Sequence, residues 1–383
     1  MYNIQTKNKI AAIGLDLFDA SKYAIDAKDA APDAVIVRSA SMLDDKFDPS
    51  LKAIARAGAG YNNIPVDRCS EEGIVVFNTP GANANAVKEL AVAALLLASR
   101  DILGAIDWAK TLTANVAKEV EAGKSKFTGP ELIGKTLGII GVGKVGSLTA
   151  NAGVALGMNV IGQDPYITIE SAVSLSRSVK IAKERSAVFA QSDYIALHAP
   201  VTPETKFVVN KDTIAQMKDG VKIVNLSRAD LVDDDAMAAA LESGKVSKYV
   251  TDFPNEATLK FKNTISIPHL GASTPESEDN CAVMAVNQIA DFLENGNIKN
   301  SVNFPELVMD RTGDLRLTVL HKNVKGVISE ISSAFAAKGI NIDNMTNRSR
   351  GENAYTICDF TGDGSGLVDQ ISKFDGVIRA GLI

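Results

Sequence analysis

Apolar residues fall along this chain in short unbroken runs separated by stretches of helical spacing. Residues 34–37 and 73–77 are runs of the kind that form strands buried on both faces, and residues 66–72 between them carry helical spacing. An alanine-rich pattern over residues 87–113 predicts one long helix. The polar, glycine-containing residues 119–134 predict a surface connection. Further strands are expected at 135–140, 159–162, 194–197, 222–225 and 265–267, with helical segments between them and a long helix over 275–295. Strands alternating with helices predict a parallel sheet covered on both sides, an α/β, doubly wound, Rossmann-like architecture.

After a linker over residues 296–314 the pattern changes. Strands are expected at 315–320, 340–348, 354–360 and 377–383, and helices at 324–338 and 366–373. That order, βαββαβ in about 70 residues, predicts a C-terminal ferredoxin-like module. With 383 residues, the chain is long enough for two or three domains.

Charge and cysteine content narrow the partners. A net charge of -6 argues against nucleic acid, which needs a basic surface, but leaves room for a small anionic substrate. Cys69, Cys281 and Cys358 are odd in number and far apart. They predict neither a disulfide framework nor a metal site, and point to a reduced, cytoplasmic setting. No apolar stretch has the length of a membrane span or the form of a secretion signal.

The sharpest motif is Gly141-Val142-Gly143-Lys144-Val145-Gly146, preceded by a predicted strand and followed by a helical pattern. Gly141 suits a tight turn, Gly143 lets backbone N–H groups approach a pyrophosphate, and Gly146 lets helix pack on strand. Asp164, 18 residues beyond Gly146, would accept bonds from ribose hydroxyls and repel a 2′-phosphate. No arginine or lysine follows in Pro165-Tyr166-Ile167 to rescue one, so NAD is expected over NADP.

Only three histidines occur. His269 follows a buried strand, and Arg228 and Glu256 lie upstream. Together they supply the groups that hydride transfer at a 2-hydroxy acid requires: an imidazole to exchange the hydroxyl proton, a carboxylate to orient it, and a cation for the substrate carboxylate. On these residues and the glycine loop, the chain from about Arg38 onward resembles the D-isomer-specific 2-hydroxyacid dehydrogenases.

The resemblance implies catalytic roles for Arg228, Glu256 and His269. It implies cofactor contacts from Lys144, Val145, Asp164, Pro200, Leu226, Ser227, Asp252, Gly271 and Ala272, with His198 a structural imidazole near the cofactor. Two departures stand out. Ala229 replaces a glycine, and Asp252 and Glu256 are one residue closer than the family spacing, with Ala257 where a proline is usual. On the substrate side the resemblance implies the loop with Ala59 and Gly60, and Asn83; Arg38 and Ser39, after a predicted strand, are further candidates, Arg38 for a bidentate phosphate contact. Lys124 and Lys126 are weaker phosphate candidates.

The C-terminal module resembles an ACT domain. His321, Asn323 and Asn341 stand where regulated family members bind serine, although Lys325 replaces a proline before Gly326. The implied substrate is 3-phospho-D-glycerate. The rival readings are another 2-hydroxy acid (glyoxylate, hydroxypyruvate or D-lactate) and an NAD-sensing regulatory protein. The expected domains are 1–92 with 276–308 for substrate, 93–275 for NAD and 314–383 for regulation, in a homodimer or homotetramer.

Overall fold

The structure is a computed structural model and describes residues 1–28 and 30–383. The chain divides into two compact units, residues 1–83 with 275–383, and residues 84–274. The boundaries expected at 92/93 and 275/276 thus fall at 83/84 and 274/275, and the C-terminal module groups with the first unit.

In the first unit, β1 (Tyr2–Lys7), β2 (Tyr23–Ile25), β3 (Ala34–Val37), β4 (Ala53–Arg56) and β5 (Val75–Phe77) form a parallel sheet in the order β2-β1-β3-β4-β5. Residues 34–37 and 75–77 are buried at every position, as their unbroken apolar runs require. The helix Pro275–Asn295 lays Cys281, Ala282, Ala285, Val286, Ile289 and Leu293 on this sheet's core, one face at helical spacing.

The second unit holds β6 (Thr136–Ile140), β7 (Asn159–Gln163), β8 (Lys180–Ile181), β9 (Tyr194–Leu197), β10 (Val221–Asn225), β11 (Val246–Thr251) and β12 (Thr264–Ser266). They form a parallel sheet in the order β12-β11-β10-β9-β6-β7-β8. From β6 the chain runs outward to β7 and β8, then returns to β9 on the other side. The loops after β6 and β9 therefore leave the sheet in opposite directions, which opens a crevice at their carboxyl ends.

The ferredoxin-like sheet is antiparallel, with β13 (Leu315–Lys322), β14 (Ile342–Arg350), β15 (Asn353–Phe360) and β16 (Val377–Leu382) in the order β14-β15-β13-β16. Its central strands β13 and β15 are largely buried on both sides, while β14 is mostly exposed. Leu317, Val319, Cys358 and Phe360 pack on the module's own helices, Val327–Ala337 and Leu367–Ile371. Leu320, Tyr355 and Ile357, on the opposite face, belong to the core beneath the β1–β5 sheet. On that face Arg316 makes a bidentate pair with Asp359 (2.6 and 2.8 Å) and also donates to the Asn295 carbonyl (2.7 Å). Both side chains are fully buried.

Two expectations need correction. The single helix expected over 87–113 is two, Ala84–Ser99 and Ile102–Lys110, because Asp101 leaves helical geometry (φ -78°, ψ 61°). The expected connection over 119–134 contains the helix Val116–Gly123 and a 3-10 turn, Lys124–Phe127. Trp108 holds this segment, its ring tilted 40° against Phe127 at 5.4 Å and pressing on Gly123, where a Cβ would lie 2.4 Å from the indole. Strands β1, β2, β4, β8 and β11 had no counterpart in the sequence pattern.

Candidate functional site

β6 delivers the chain straight into the glycine loop. Gly141 sits at φ +91°, where an added Cβ would lie 2.7 Å from the backbone of His198 and Ala199. At Gly146 a Cβ would lie 1.9 Å from the Gly141 carbonyl oxygen, so only hydrogen allows the helix Lys144–Ala155 to start here. At Gly143 the opposite holds. Nothing lies within 4 Å of the Cβ position, so this face is open to an approaching group. Asp164, one residue past β7, accepts from the Val142 amide (2.8 Å) and the Tyr166 amide (2.9 Å), which pins its carboxylate beside the loop. Lys144 pairs with Glu170. An open backbone face, a helix N-terminus and a fixed carboxylate on the next strand fit a dinucleotide diphosphate and its ribose.

Around this crevice, Ser227 donates to the Leu197 carbonyl (2.7 Å) and Leu226 is buried. Thr205 ties down the Pro200 carbonyl (2.6 Å), and Val145 and Ala272 are half-buried. His198 follows β9, and both of its ring nitrogens are buried without a hydrogen-bond partner. Burial pushes its pKa down to about 4, so the ring is neutral at neutral pH.

Arg228, Asp252 and His269 follow the ends of three neighbouring strands, β10, β11 and β12. Asn225 closes the loop after β10, donating to the Arg228 carbonyl (2.9 Å) and accepting from the Ser227 amide (3.2 Å). Arg228 is thereby presented at the surface. Asp252, directly after β11, is fully buried. One oxygen accepts from the Gly271 amide (3.1 Å) and the other has no partner. Burial pushes its carboxyl above the ordinary value, although the Gly271 bond and the charges of His269 and Arg228 oppose this. An unpartnered buried oxygen suits an amide donor such as a nicotinamide carboxamide.

His269 is exposed, and its ring lies 4.4 Å from the Phe253 ring at 45°. The Arg228 guanidinium carbon lies over the same Phe253 ring, 5.6 Å from its centroid. Phe253, which sequence reasoning missed, thus touches both. Glu256 is not brought to His269. It is exposed and makes no hydrogen bond or ion pair among the described residues. The turn that carries it is fixed by Asn255, which accepts from the Ala257 and Thr258 amides (3.0 and 2.9 Å) and donates to Asp234 (2.8 Å).

The substrate-side candidates all lie in the first unit. Arg38 pairs with Glu278 at 2.8 Å, and Ser39 donates its amide to Asn8 (3.0 Å). Ala59 accepts from Asn78 (2.7 Å), while Gly60 and Asn83 are half-buried. Arg56 went unnoticed in the sequence. It ends β4 opposite Val37 of β3 and donates to the Arg38 carbonyl (3.0 Å), which places a second guanidinium at the same sheet edge.

In the C-terminal module His321 is buried. Its Nδ1 lies 2.8 Å from the Lys322 carbonyl and its Nε2 lies 2.9 Å from Thr356 and 3.2 Å from Asn347. Asn323 and Asn341 are exposed, donating to the Gly351 and Ile342 carbonyls at 3.2 and 3.4 Å. No helix among the described residues is long and apolar enough to cross a membrane.

A family profile described as D-isomer specific 2-hydroxyacid dehydrogenase, NAD binding domain, matches residues 92–271, and an ACT domain profile matches residues 315–369. The chain is 32% identical to the D-3-phosphoglycerate dehydrogenase of Haemophilus influenzae over 348 residues, 88% of this chain and 82% of that one. It is 36% identical to the hydroxypyruvate reductase of Thermotoga maritima over 269 residues, 67% of this chain and 83% of that one. Several longer relatives also carry the name D-3-phosphoglycerate dehydrogenase, and this chain spans about half of their length. Among solved structures, the NAD+-bound 3-phosphoglycerate dehydrogenase of Entamoeba histolytica aligns with a TM-score of 0.61 and 27% identity, covering 79% of this chain and 98% of that one.

Proposed function

The chain belongs to the D-isomer-specific 2-hydroxyacid dehydrogenase family, carrying its NAD-binding domain, and on that footing we propose that it oxidises 3-phospho-D-glycerate to 3-phosphohydroxypyruvate at the entry to serine synthesis. The observation that carries this reading is the joining of that NAD-binding domain to an ACT domain in one chain, together with a match to a D-3-phosphoglycerate dehydrogenase over 88% of this chain and 82% of that one. Arg38 and Arg56 at one sheet edge add the cationic surface a phosphate needs.

NAD, when bound, accepts the hydride from the substrate carbon. The chain's own residues bind and hold. Asp164 would hold the ribose, and the unpartnered oxygen of Asp252 would hold the carboxamide. Arg228 holds the substrate carboxylate, and His269 takes the hydroxyl proton as the C–O bond gains double-bond character. Glu256, exposed in the loop after β11, is the carboxylate we propose to orient that imidazole in the loaded site. We further propose serine as an effector held by the exposed Asn323 and Asn341, with His321 a buried strut beneath them. A cytoplasmic homodimer or homotetramer is the setting we propose.

The test is NADH formation from 3-phosphoglycerate against a panel of unphosphorylated 2-hydroxy acids. Preference for any of the latter overturns the substrate assignment. The second reading, reduction of hydroxypyruvate or glyoxylate, draws on the Arg38–Glu278 pair, which already balances the Arg38 charge. His269→Ala is expected to lower kcat by about a thousandfold while NADH affinity stays within about twofold. Serine is expected to lower the rate, and a flat serine titration removes the effector proposal.

A further inference from the structure

The loop that leaves β4 is gripped by the residues that follow β5. Asn78 donates its side-chain amide to the Ala59 carbonyl (2.7 Å), and the backbone amide of Thr79 donates to the Gly58 carbonyl (3.1 Å). Two consecutive carbonyls of the loop are thus drawn toward the end of β5. A trans peptide is planar, with its N–H opposite its C=O, so the same two bonds aim the amides of Ala59 and Gly60 away from β5. Neither amide donates to a backbone carbonyl among the described residues. The Arg56 guanidinium lies across this loop, where a Cβ on Gly58 would stand 1.4 Å from Nη1. Asn78 is itself held on both sides. Its backbone amide donates to the Asn300 carbonyl (3.3 Å), and its carbonyl accepts from Gln288 (3.0 Å), a buried side chain of the helix Pro275–Asn295. Its reach to Ala59 is therefore set by β5, by that helix and by the linker together.

Resting on the dehydrogenase reading above, we propose that Asn78 is a positioning residue for the substrate: by holding the Ala59 carbonyl, it presents the Ala59 and Gly60 amides to an anionic oxygen of the 2-hydroxy acid. Successive backbone N–H groups turned the same way make an anion-binding concavity, and the guanidinium against the loop adds charge to it. Asn78 touches no reacting atom in this role. It acts through the loop, which without that donor keeps its residues but loses the fixed direction of its amides. A contact that serves substrate and transition state alike appears in KM and spares kcat.

Shape and donor capacity can be separated at this position. Asn78→Leu keeps the volume and removes the donor. It is expected to raise the KM for the hydroxy acid about tenfold, while kcat and NADH affinity stay within about twofold. Asn78→Ser keeps a donor on a smaller side chain, and its KM is expected within about threefold of the parent chain. A packing role reverses that order, with the leucine variant the milder of the two. In NMR of the NADH-loaded parent chain, oxalate serves as the carboxylate probe and is expected to move the Ala59 and Gly60 amide resonances downfield. In Asn78→Leu the same addition leaves them in place. The proposal is overturned by a parent-like KM in Asn78→Leu, by the reversed order of the two variants, or by Ala59 and Gly60 amides that ignore oxalate in the parent chain. That last measurement needs no variant, so it decides even where a substitution prevents folding. Absence of turnover with every acid sinks the dehydrogenase reading, whereas the oxalate response still decides whether this loop is an anion site held by Asn78.

Discussion

The glycine loop after β6 and the loop after β11 both serve the same crevice, yet they are specified in different ways. The first is dictated by backbone sterics: a positive φ at Gly141 and a helix start that tolerates no side chain at Gly146. The second depends on which side chain a fixed turn turns inward, and there Phe253 rather than Glu256 meets His269. Backbone constraints admit one residue type and are therefore readable from a single sequence. Side-chain placement depends on loop length and on remote partners such as Asp234.

The largest expected effect separates the glycines. Gly146→Ala places a Cβ 1.9 Å from the Gly141 carbonyl oxygen, a rigid backbone atom, so stability should fall by about 3 kcal/mol or more. Denaturant midpoints measure this, and a stable Gly146→Ala would break the steric account of the loop.

Next is His198, behind the same loop. Its pKa lies near 4 because of burial, below the ordinary imidazole value, so its neutral form contributes stability above about pH 6.5. That contribution is lost as pH falls toward 4, and amounts to about 3 kcal/mol. Unfolding free energy followed between these pH values should flatten in His198→Phe. An unchanged acid slope would mean the ring is solvated when protonated.

The smallest effect sharpens the contrast. Gly143→Ala meets open space, so its denaturant midpoint should match the parent chain, while NADH affinity drops about tenfold because the methyl occupies the diphosphate face. Fluorescence titration reads this directly. Equal losses of stability in both alanine variants would erase the distinction between a packing glycine and a binding one.

The sequence reading succeeded and failed along the same line. Strands buried on both faces, such as residues 34–37 and 194–197, announce themselves as apolar runs, and the β6–glycine–helix unit was fully readable. The break at Asp101 was hidden, because alanine-rich segments on either side keep helical spacing. Short edge strands such as β2 and β8 carry too few apolar positions to register, and β1 mixes polar residues into its run. In the site, Arg228 and His269 were named together in the sequence, and both lie against the Phe253 ring. Phe253 was passed over because an aromatic after a buried strand reads as core. His321 was read as a ligand for serine, and in three dimensions its ring nitrogens are engaged within the module.

The sheet β13–β16 has one face in each of two cores, and this bears on how the chain could be taken apart. Arg316 and Asp359 bond each other in the interior, and Arg316 reaches back to the last residue of the helix Pro275–Asn295. Asn353 and Arg350 hold the carbonyls of Asn303 and Ser301, and Asn303 in turn closes the free edge of β5 through Ile74 and Val76. The module is masonry rather than an appendage. A chain cut before residue 315 would expose the apolar floor of its neighbour and an open strand edge, so it should be recovered as aggregate rather than as a deregulated enzyme. By the same construction, a ligand bound to this sheet pushes on the β1–β5 scaffold directly, with no flexible tether to absorb the displacement.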